Sequence, residues 1–441
     1  MSDAPTPRTV STKLLKVTER AKWDPRAQMR SIAHVIDQEL LKEAFDRIRK
    51  DAAVGVDGVS KEQYGERLEE NLRTLHERMK GGQYRHQPIR RVHIPKTPGK
   101  TRPIGISTVE DKVVQNALTM VLTAIYEPVF ADCSYGFRPG RSAHDALRAL
   151  DAVAMRGECN WVLEADIESF FDSLDRKRLM EMLRQRVADE GFVRLVGKCL
   201  HVGVLDGEEY SEPDVGTTQG STLSPMLGNI YLHHVLDAWV EEEVRPTLRG
   251  KCCLIRYADD FIIGFERYAD AERVKQMVHQ RMAEWGLRLH PEKTRLVPYH
   301  RPLRRHQGGK RPGTFDFLGF TLHWRRTRTG YWGQGYRTRK ARLQRAKQAL
   351  NDYCRSHRHQ SVKEQHASLC RRMRGHYNYF GVNSNHASLW RLYEAVRRIW
   401  FKWLKRRSQR VHLNWQRFEE ILRVFPLPRP TIRVQIWAPL K

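Results

Sequence analysis

The chain has 441 residues, 40% of them hydrophobic and 9% aromatic, enough for two or three domains with substantial cores and too apolar for a disordered protein. No apolar run reaches the length of a membrane span, the polar first ten residues lack a signal-peptide core, and seven irregularly spaced cysteines make no disulfide framework, so a reducing cytoplasm is expected. The net charge of +27 comes from the end of the chain: residues 301–441 hold 33 Lys and Arg against 6 Asp and Glu, whereas the first 300 residues carry 45 of each. A basic C-terminal third on a neutral body suits a polyanion. Aromatics interleaved with the charges favour nucleic acid over a membrane surface.

Residues 1–23 are polar. Leu40, Leu41, Ala44, Phe45 and Ile48 predict a helix over 40–49, followed by a glycine-punctuated loop over 51–60. A second helix is predicted over 60–80, with Ser60 as N-cap and Gly81-Gly82 as the stop. Alternation over 89–94 predicts a strand that leads into Pro95-Lys96-Thr97-Pro98-Gly99-Lys100-Thr101-Arg102, a basic turn between two strands. Such a turn suits phosphates or is a solvated hairpin tip. A P-loop is excluded, because Ile94 stands where its first glycine belongs and no helix follows directly.

A buried helix over 111–130 precedes Ser134-Tyr135-Gly136-Phe137-Arg138-Pro139-Gly140-Arg141. This loop suits phosphate contact with base stacking, or serves structure alone. The strand over 161–167 carries Asp166 near its end, with Phe170-Phe171-Asp172 just beyond. Glu164 and Glu168 alternate with Asp166, so periodicity does not single it out. An amphipathic helix follows over 176–187. Gly216-Thr217-Thr218-Gln219-Gly220-Ser221 is a small-residue loop that opens a helix towards Trp239 and suits close approach to a ligand.

Residues 252–265 read as strand, tight turn, strand, with Tyr257-Ala258-Asp259-Asp260 at the turn. Adjacent carboxylates suit a hard divalent cation such as Mg²⁺; an ordinary Asp-containing turn is the alternative. A helix over 270–285 stopped by Gly286, a strand-like segment over 287–297 and a buried strand over 315–322 follow. Residues 324–340 read as a basic hairpin. Helices are predicted over 341–353, 362–379 and 387–405, with Trp390, Trp400 and Trp403 packed inside. Cys354, His357, His359, His366 and Cys370 have spacings that suit a structural zinc, or reflect the many histidines of a basic region. If the strand ending at Asp166 neighbours the 252–265 hairpin, three carboxylates converge. Two Mg²⁺ ions there could activate a 3′-hydroxyl and stabilise pyrophosphate, with Lys96 and Arg102 on the triphosphate.

Seven runs in order (94–107, 135–147, 165–175, 219–232, 256–264, 286–297 and 315–322) resemble those of the reverse transcriptases encoded by group II introns. Residues 51–60 resemble the N-terminal extension of that family, and Arg374-Gly375-His376-Tyr377-Asn378-Tyr379-Phe380 resembles its maturase region. The resemblance implies an α+β right-hand polymerase: fingers, a palm with an antiparallel sheet and a helical thumb, followed by a helical maturase domain X. The expected divisions are an extension over 1–77, fingers and palm over 78–322, and thumb with domain X over 323–441. It makes Asp166, Asp259 and Asp260 the catalytic carboxylates holding two Mg²⁺ ions, with Mn²⁺ as a substitute. It places Lys96 and Arg102 at the triphosphate, Gln219 beside the incoming nucleotide, and Phe171 as the gate against a ribose 2′-hydroxyl. Lys293 becomes the proton donor to pyrophosphate; Phe170 packs in the core and Asp172 is a turn residue.

Arg138, Arg141, Arg337, Arg339, Lys340 and Arg374 are expected on RNA. The implied partners are group II intron RNA, an RNA template with a DNA or RNA primer, target DNA and dNTPs, in a bacterial cytoplasm at or near the nucleoid. Two departures stand out: Thr218 replaces the usual proline, and Gly220-Ser221 replaces paired glycines. No Cys/His-rich nuclease module follows, so independent target-strand cleavage is not expected. The expected activity is RNA-directed DNA synthesis together with intron binding, splicing and mobility. The alternatives are an intron-independent enzyme of defence or repair, and a splicing maturase with little polymerase activity. Phe171 speaks against a third, RNA-directed RNA synthesis.

Overall fold

A computed structural model describes residues 12–97, 100–206, 209–211, 216–217, 220–302, 313–327, 329–407 and 413–437. In chain order the strands are β1 (Ile89–Thr97), β2 (Lys100–Ile106), β3 (Trp161–Asp166), β4 (Val204–Asp206), β5 (Glu209–Ser211), β6 (Cys252–Tyr257), β7 (Asp260–Phe265), β8 (Arg295–Pro298), β9 (Phe315–Phe317), β10 (Phe320–Arg326) and β11 (Trp332–Thr338). The helices are α1 (Thr12–Trp23), α2 (Gln38–Asp46), α3 (Lys61–Gly65), α4 (Leu68–Lys80), α5 (Val109–Tyr126), α6 (Ala143–Met155), α7 (Phe170–Ser173), α8 (Arg176–Arg186), α9 (Glu190–Leu200), α10 (Ser224–Leu232), α11 (Tyr268–Glu284), α12 (Lys340–Ser356), α13 (Val362–Phe380), α14 (His386–Lys405) and α15 (Trp415–Val424). The result is a mixed α/β protein with largely antiparallel sheets. None of the described helices is long and apolar enough to cross a membrane.

The chain divides into two compact units. The first comprises Met1–Arg141, Asp166–Thr247 and Gln276–Pro291; the second comprises Ser142–Ala165, Leu248–Lys275 and Glu292–Lys441. Residue 322, the expected domain boundary, instead lies inside β10 and within the second unit.

The first unit is built on α5, an apolar helix buried nearly all round, against which α1 and α2 pack. Thr108 caps it by accepting from Asp111 N. The helix expected over 60–80 starts where predicted, at the Ser60–Gln63 capping box, but breaks into α3 and α4. Gly65 is a poor helix former, and Asn71 Nδ2 donates to the Tyr64 carbonyl at the break. Strand β1 pairs antiparallel with β2 and parallel with β4.

The second unit contains the sheet β6-β7-β3-β8 and the three-stranded sheet β11-β10-β9. The segment expected as one strand over 315–322 is two, because Leu318 (φ 52°) and Gly319 (φ 80°) fold it into a tight turn. Helices α12–α15 enclose a core containing Leu369, Met373, Leu389, Trp400 and Phe418. Gln365 organises it: its Oε1 accepts from Trp400 Nε1, and its Nε2 donates to the carbonyls of His357, Arg358 and Gln360. Trp400 and Trp403 are buried as expected, but Trp390 is 42% exposed and stacks on Tyr393 along the surface of α14. Helix α15 was not expected. Cys354 and Cys370 are core residues of this bundle, and His366 shares its Nε2 between Pro426 O and Cys370 Sγ.

Candidate active site

The turn between β6 and β7 is two residues long. Tyr257 pairs with Asp260, leaving Ala258 and Asp259 at the tip. Ala258 is left-handed (φ 58°), a conformation that costs an alanine roughly 1 kcal/mol or more. Two neighbours hold it there. Arg256, fully buried, donates from Nη1 to the Ala258 carbonyl at 3.0 Å. The turn between β9 and β10 lies alongside, with Leu318 N donating to Asp260 Oδ2 at 3.4 Å. That second turn is itself held by α13, because the Tyr379 hydroxyl donates to Leu318 O at 2.9 Å. Burial, and next the neighbouring Tyr257, push the Tyr379 hydroxyl up to about 12, so it remains a donor at neutral pH. The Tyr379 carbonyl meets a His144 ring nitrogen at 2.8 Å.

Strand β3 ends at Asp166 and is the neighbour of β7. Asn160 N, just before β3, donates to Phe265 O at the end of β7, so the strands are antiparallel and the end of β3 lies beside the start of β7. Beyond β3, His290 N donates to the Asp166 carbonyl at 2.8 Å, and Ile167 bridges to Leu289. The donors these strand ends supply are carboxylate oxygens, which fit hard divalent ions such as Mg²⁺. That fit rests on strand positions: among the described residues, no three His, Cys, Asp or Glu side chains stand close enough to hold a metal. Lys293 is exposed in the turn entering β8.

The nucleotide candidates belong to the first unit. Phe170 is buried at 3% exposure, whereas its neighbour Phe171 is partly exposed. A Cβ at Gly228 of α10 would meet the Phe170 ring at 2.9 Å and the Phe171 ring at 3.2 Å, so that glycine makes room for both. Asp172 is exposed within the one-turn helix α7 rather than in a turn. Thr217 N donates to the Phe171 carbonyl at 2.5 Å. Gly216 packs so tightly on Asp172 that a Cβ would lie 2.6 Å from its carbonyl oxygen. Gly220 packs as tightly on β2, where a Cβ would lie 2.4 Å from Gly105 O. Thr218 and Gln219 lie outside the described residues, but the segments on either side of them are fixed on α7 and β2. Gln115 adds a tie, its Oε1 accepting from Thr222 N at 3.3 Å and its Nε2 donating to Ser107 Oγ at 3.1 Å. Arg102 is exposed opposite Ile94 on the β1–β2 hairpin, and Lys96 falls at a bulge between Pro95 and Thr97. The side chain of Lys96 lies outside the described residues.

The expected RNA-binding arginines separate. Arg138 must be withdrawn, since its side chain is 2% exposed and bound to Glu127 and to the carbonyls of Ala131 and Ser134. It closes its own loop and cannot reach a phosphate. Arg141 is held by Asp132 at 2.7 Å and lies over the Tyr135 ring. Arg339 pairs with Asp316 at 2.9 Å. Arg337, Lys340 and Arg374 are exposed. Sequence reasoning missed Arg256, Gln115 and Tyr379. An arginine inside the apolar run 252–265 was a visible signal for the first, and Tyr379 stands in the maturase-like run 374–380; Gln115 carried none.

A strand-end aspartate thus lies beside a strand that begins at Asp260, with Asp259 in the adjoining turn, on a largely antiparallel sheet. The family model described as "Reverse transcriptase (RNA-dependent DNA polymerase)" matches residues 94–322. Protein YkfC of Escherichia coli K12 is 32% identical over 352 residues, covering 71% of this chain and 88% of its own. Group II intron-encoded protein LtrA of Lactococcus lactis subsp. cremoris is 31% identical over 323 residues, 59% of this chain and 51% of LtrA. The mitochondrial protein Nuclear intron maturase 2 of Arabidopsis thaliana is 27% identical over 182 residues, 32% of this chain and 24% of its own. The chain belongs to the reverse transcriptase family.

Proposed function

We propose that this chain is an RNA-directed DNA polymerase of the group II intron kind, which also binds intron RNA and assists its splicing and mobility. The observation that carries the reading is the adjacency of β3 and β7, which end and begin at aspartates in one sheet. Asp166, Asp259 and Asp260 would hold two divalent ions, Mg²⁺ with Mn²⁺ as substitute. When bound, these ions lower the pKa of the primer 3′-hydroxyl and neutralise charge on the leaving pyrophosphate. Lys96 and Arg102, on the β1–β2 fingers hairpin, orient the triphosphate. Gln219 is assigned to the incoming nucleotide; of its neighbours, Gly216 and Thr217 are held on α7 and Gly220 on β2. Phe171 closes the space beside C2′, backed by the buried Phe170. Lys293 donates a proton to pyrophosphate as it leaves.

The sheet β6-β7-β3-β8 then serves as palm, and α12–α14 as thumb and maturase domain X. Arg337, Lys340 and Arg374 meet the RNA backbone, joined by Arg141 and Arg339 if they exchange their carboxylate partners for phosphate. The names of the intron-encoded and maturase relatives support an intron RNA as partner, with a primed RNA template, dNTPs and target DNA. Action in the bacterial cytoplasm accords with these substrates. Extension of a DNA primer on an RNA template with Mg²⁺ tests the polymerase reading; no incorporation would sink it. A splicing assay with the RNA that flanks the coding sequence tests the maturase reading. Splicing at an unchanged rate without the protein would remove that half alone.

A further inference from the structure

Gln115 stands on α5 with 1% exposure, and both polar ends of its side-chain amide are engaged. Its Oε1 accepts from Thr222 N at 3.3 Å and from Thr222 Oγ1 at 3.4 Å, on the α10 side of Gln219. Its Nε2 meets His86 Nε2 at 2.9 Å and Ser107 Oγ at 3.1 Å. A backbone N–H can only donate, so the carbonyl end of the amide must face Thr222 and the amino end must face His86. His86 Nε2 is then an acceptor. The other ring nitrogen agrees, since Nδ1 lies 2.6 Å from the Gln87 carbonyl and must donate to it. Both contacts require the neutral ring with its proton on Nδ1.

The His86 side chain is 1% exposed. Asp111 of α5 faces it, with Oδ2 3.5 Å from Nδ1, and is itself engaged by the Tyr84 hydroxyl, Thr108 Oγ1 and Gln87 N. Behind Tyr84, α9 contributes the Cys199 thiol and Lys198, which donates to the Tyr84 carbonyl. Glu110 is held by Arg78 of α4 at 2.6 Å. A second proton on the ring would sit on Nε2, donor against donor with the Gln115 amino group. The amide relieves this by turning over, so that its oxygen accepts from His86. Its amino group then confronts the Thr222 N–H, and the tie to the loop is lost.

We propose that Gln115 is a positioning residue for the nucleotide loop, and that it holds the loop only while His86 is neutral. The inference rests on the assignment of Gln219 to the incoming nucleotide. Gly220 is seated against the Gly105 carbonyl of β2, and Thr222 supplies a second attachment before α10 begins. Two attachments fix the direction of the loop; one leaves a pivot. Loss of the second on acidification weakens dNTP binding without changing any group that contacts the substrate.

The test is primer extension by the full chain on an RNA template at about pH 8 and about pH 6, on either side of the ordinary imidazole range. His86→Gln keeps an acceptor towards Gln115 but does not titrate, so it corrects for the titration of the dNTP itself. The parent's dNTP KM should rise about threefold or more on acidification relative to His86→Gln. Gln115→Leu should raise KM about tenfold at both pH values, with kcat within about twofold of the parent. In Gln115→Glu the trend should invert, because a carboxylate accepts from Thr222 but needs a further proton to meet His86; a general loss of stability would not invert it. Hydrogen exchange at the Thr222 amide reads the same tie without catalysis. Corrected for its intrinsic rate, it should be faster in Gln115→Leu at both pH values and faster in the parent at about pH 6. Unchanged KM or unchanged Thr222 exchange in Gln115→Leu overturns the proposal. So does the parent's trend persisting in Gln115→Glu. A parent that incorporates no dNTP would sink the polymerase reading instead, and Thr222 exchange alone would then decide the tie.

Discussion

Phe170 and Phe171 have the same side chain and opposite fates. The first fills the space against Gly228 and is 3% exposed; the second also touches that glycine but keeps a face open. Removing the second ring should therefore alter selectivity more than folding. We expect Phe171→Ala to lower discrimination against ribonucleotides by about tenfold or more while dNTP incorporation persists. Unchanged discrimination in a competition assay would contradict the gate. Asp151 supports a prediction about pH. Buried and hydrogen bonded by the Tyr336 hydroxyl at 3.1 Å, its carboxyl is raised by burial to about 6. Because the folded value lies above the unfolded one, its contribution is full below about pH 4 and is lost as pH rises through about 6. Asp151→Asn should accordingly gain melting temperature relative to the parent at pH 8 compared with pH 4.5; parallel profiles would refute this. Asp166 and Asp259 were picked out by the ordered family-like runs and not by periodicity, since Glu164 and Glu168 alternate with Asp166. Arg138 was misread because sequence reveals its charge but not its burial against Glu127.

Strands and long helices declared themselves through periodicity, and the Ser60 cap and Gly286 stop fell where local chemistry required. Turns that depend on tertiary support did not. Nothing in Leu318-Gly319 announces a left-handed leucine; the Tyr379 hydroxyl and the pairing of β9 with β10 impose it. The same support makes the Gln219 loop testable. Gly220 has φ 114° and lies against the Gly105 carbonyl, so an alanine there is both strained and obstructed. Gly220→Ala should raise the dNTP KM severalfold or more while melting temperature falls by only a few degrees. An unchanged KM would mean that the loop does not contact the nucleotide. Gly58, by contrast, also has a positive φ (70°) but open space around its Cβ position, so Gly58→Ala should carry only the backbone cost of about 1 kcal/mol, measurable by denaturation.

Charge asymmetry was readable from composition alone, whereas the division expected at residue 322 rests on the family resemblance. Residue 322 sits in β10, which pairs on both sides, so truncation there would damage a sheet rather than release a domain. Point changes are the cleaner probe of RNA binding. Replacing the exposed Arg337, Lys340, Arg371 and Arg374 with glutamine should weaken RNA binding. The slope of log affinity against log salt should fall by about 3, at roughly 0.7–0.9 for each phosphate that is no longer neutralised. An unchanged slope would place the RNA elsewhere. The central claim, that aspartates at two adjacent strand ends perform nucleotidyl transfer on an RNA template, is tested most directly by single-turnover primer extension with Mg²⁺. The chain itself should extend the primer with dNTPs. Asp166→Asn and Asp259→Asn should each be slower by about 10³-fold or more while binding template and melting as the parent does. Incorporation at the parent rate by either variant would contradict the account.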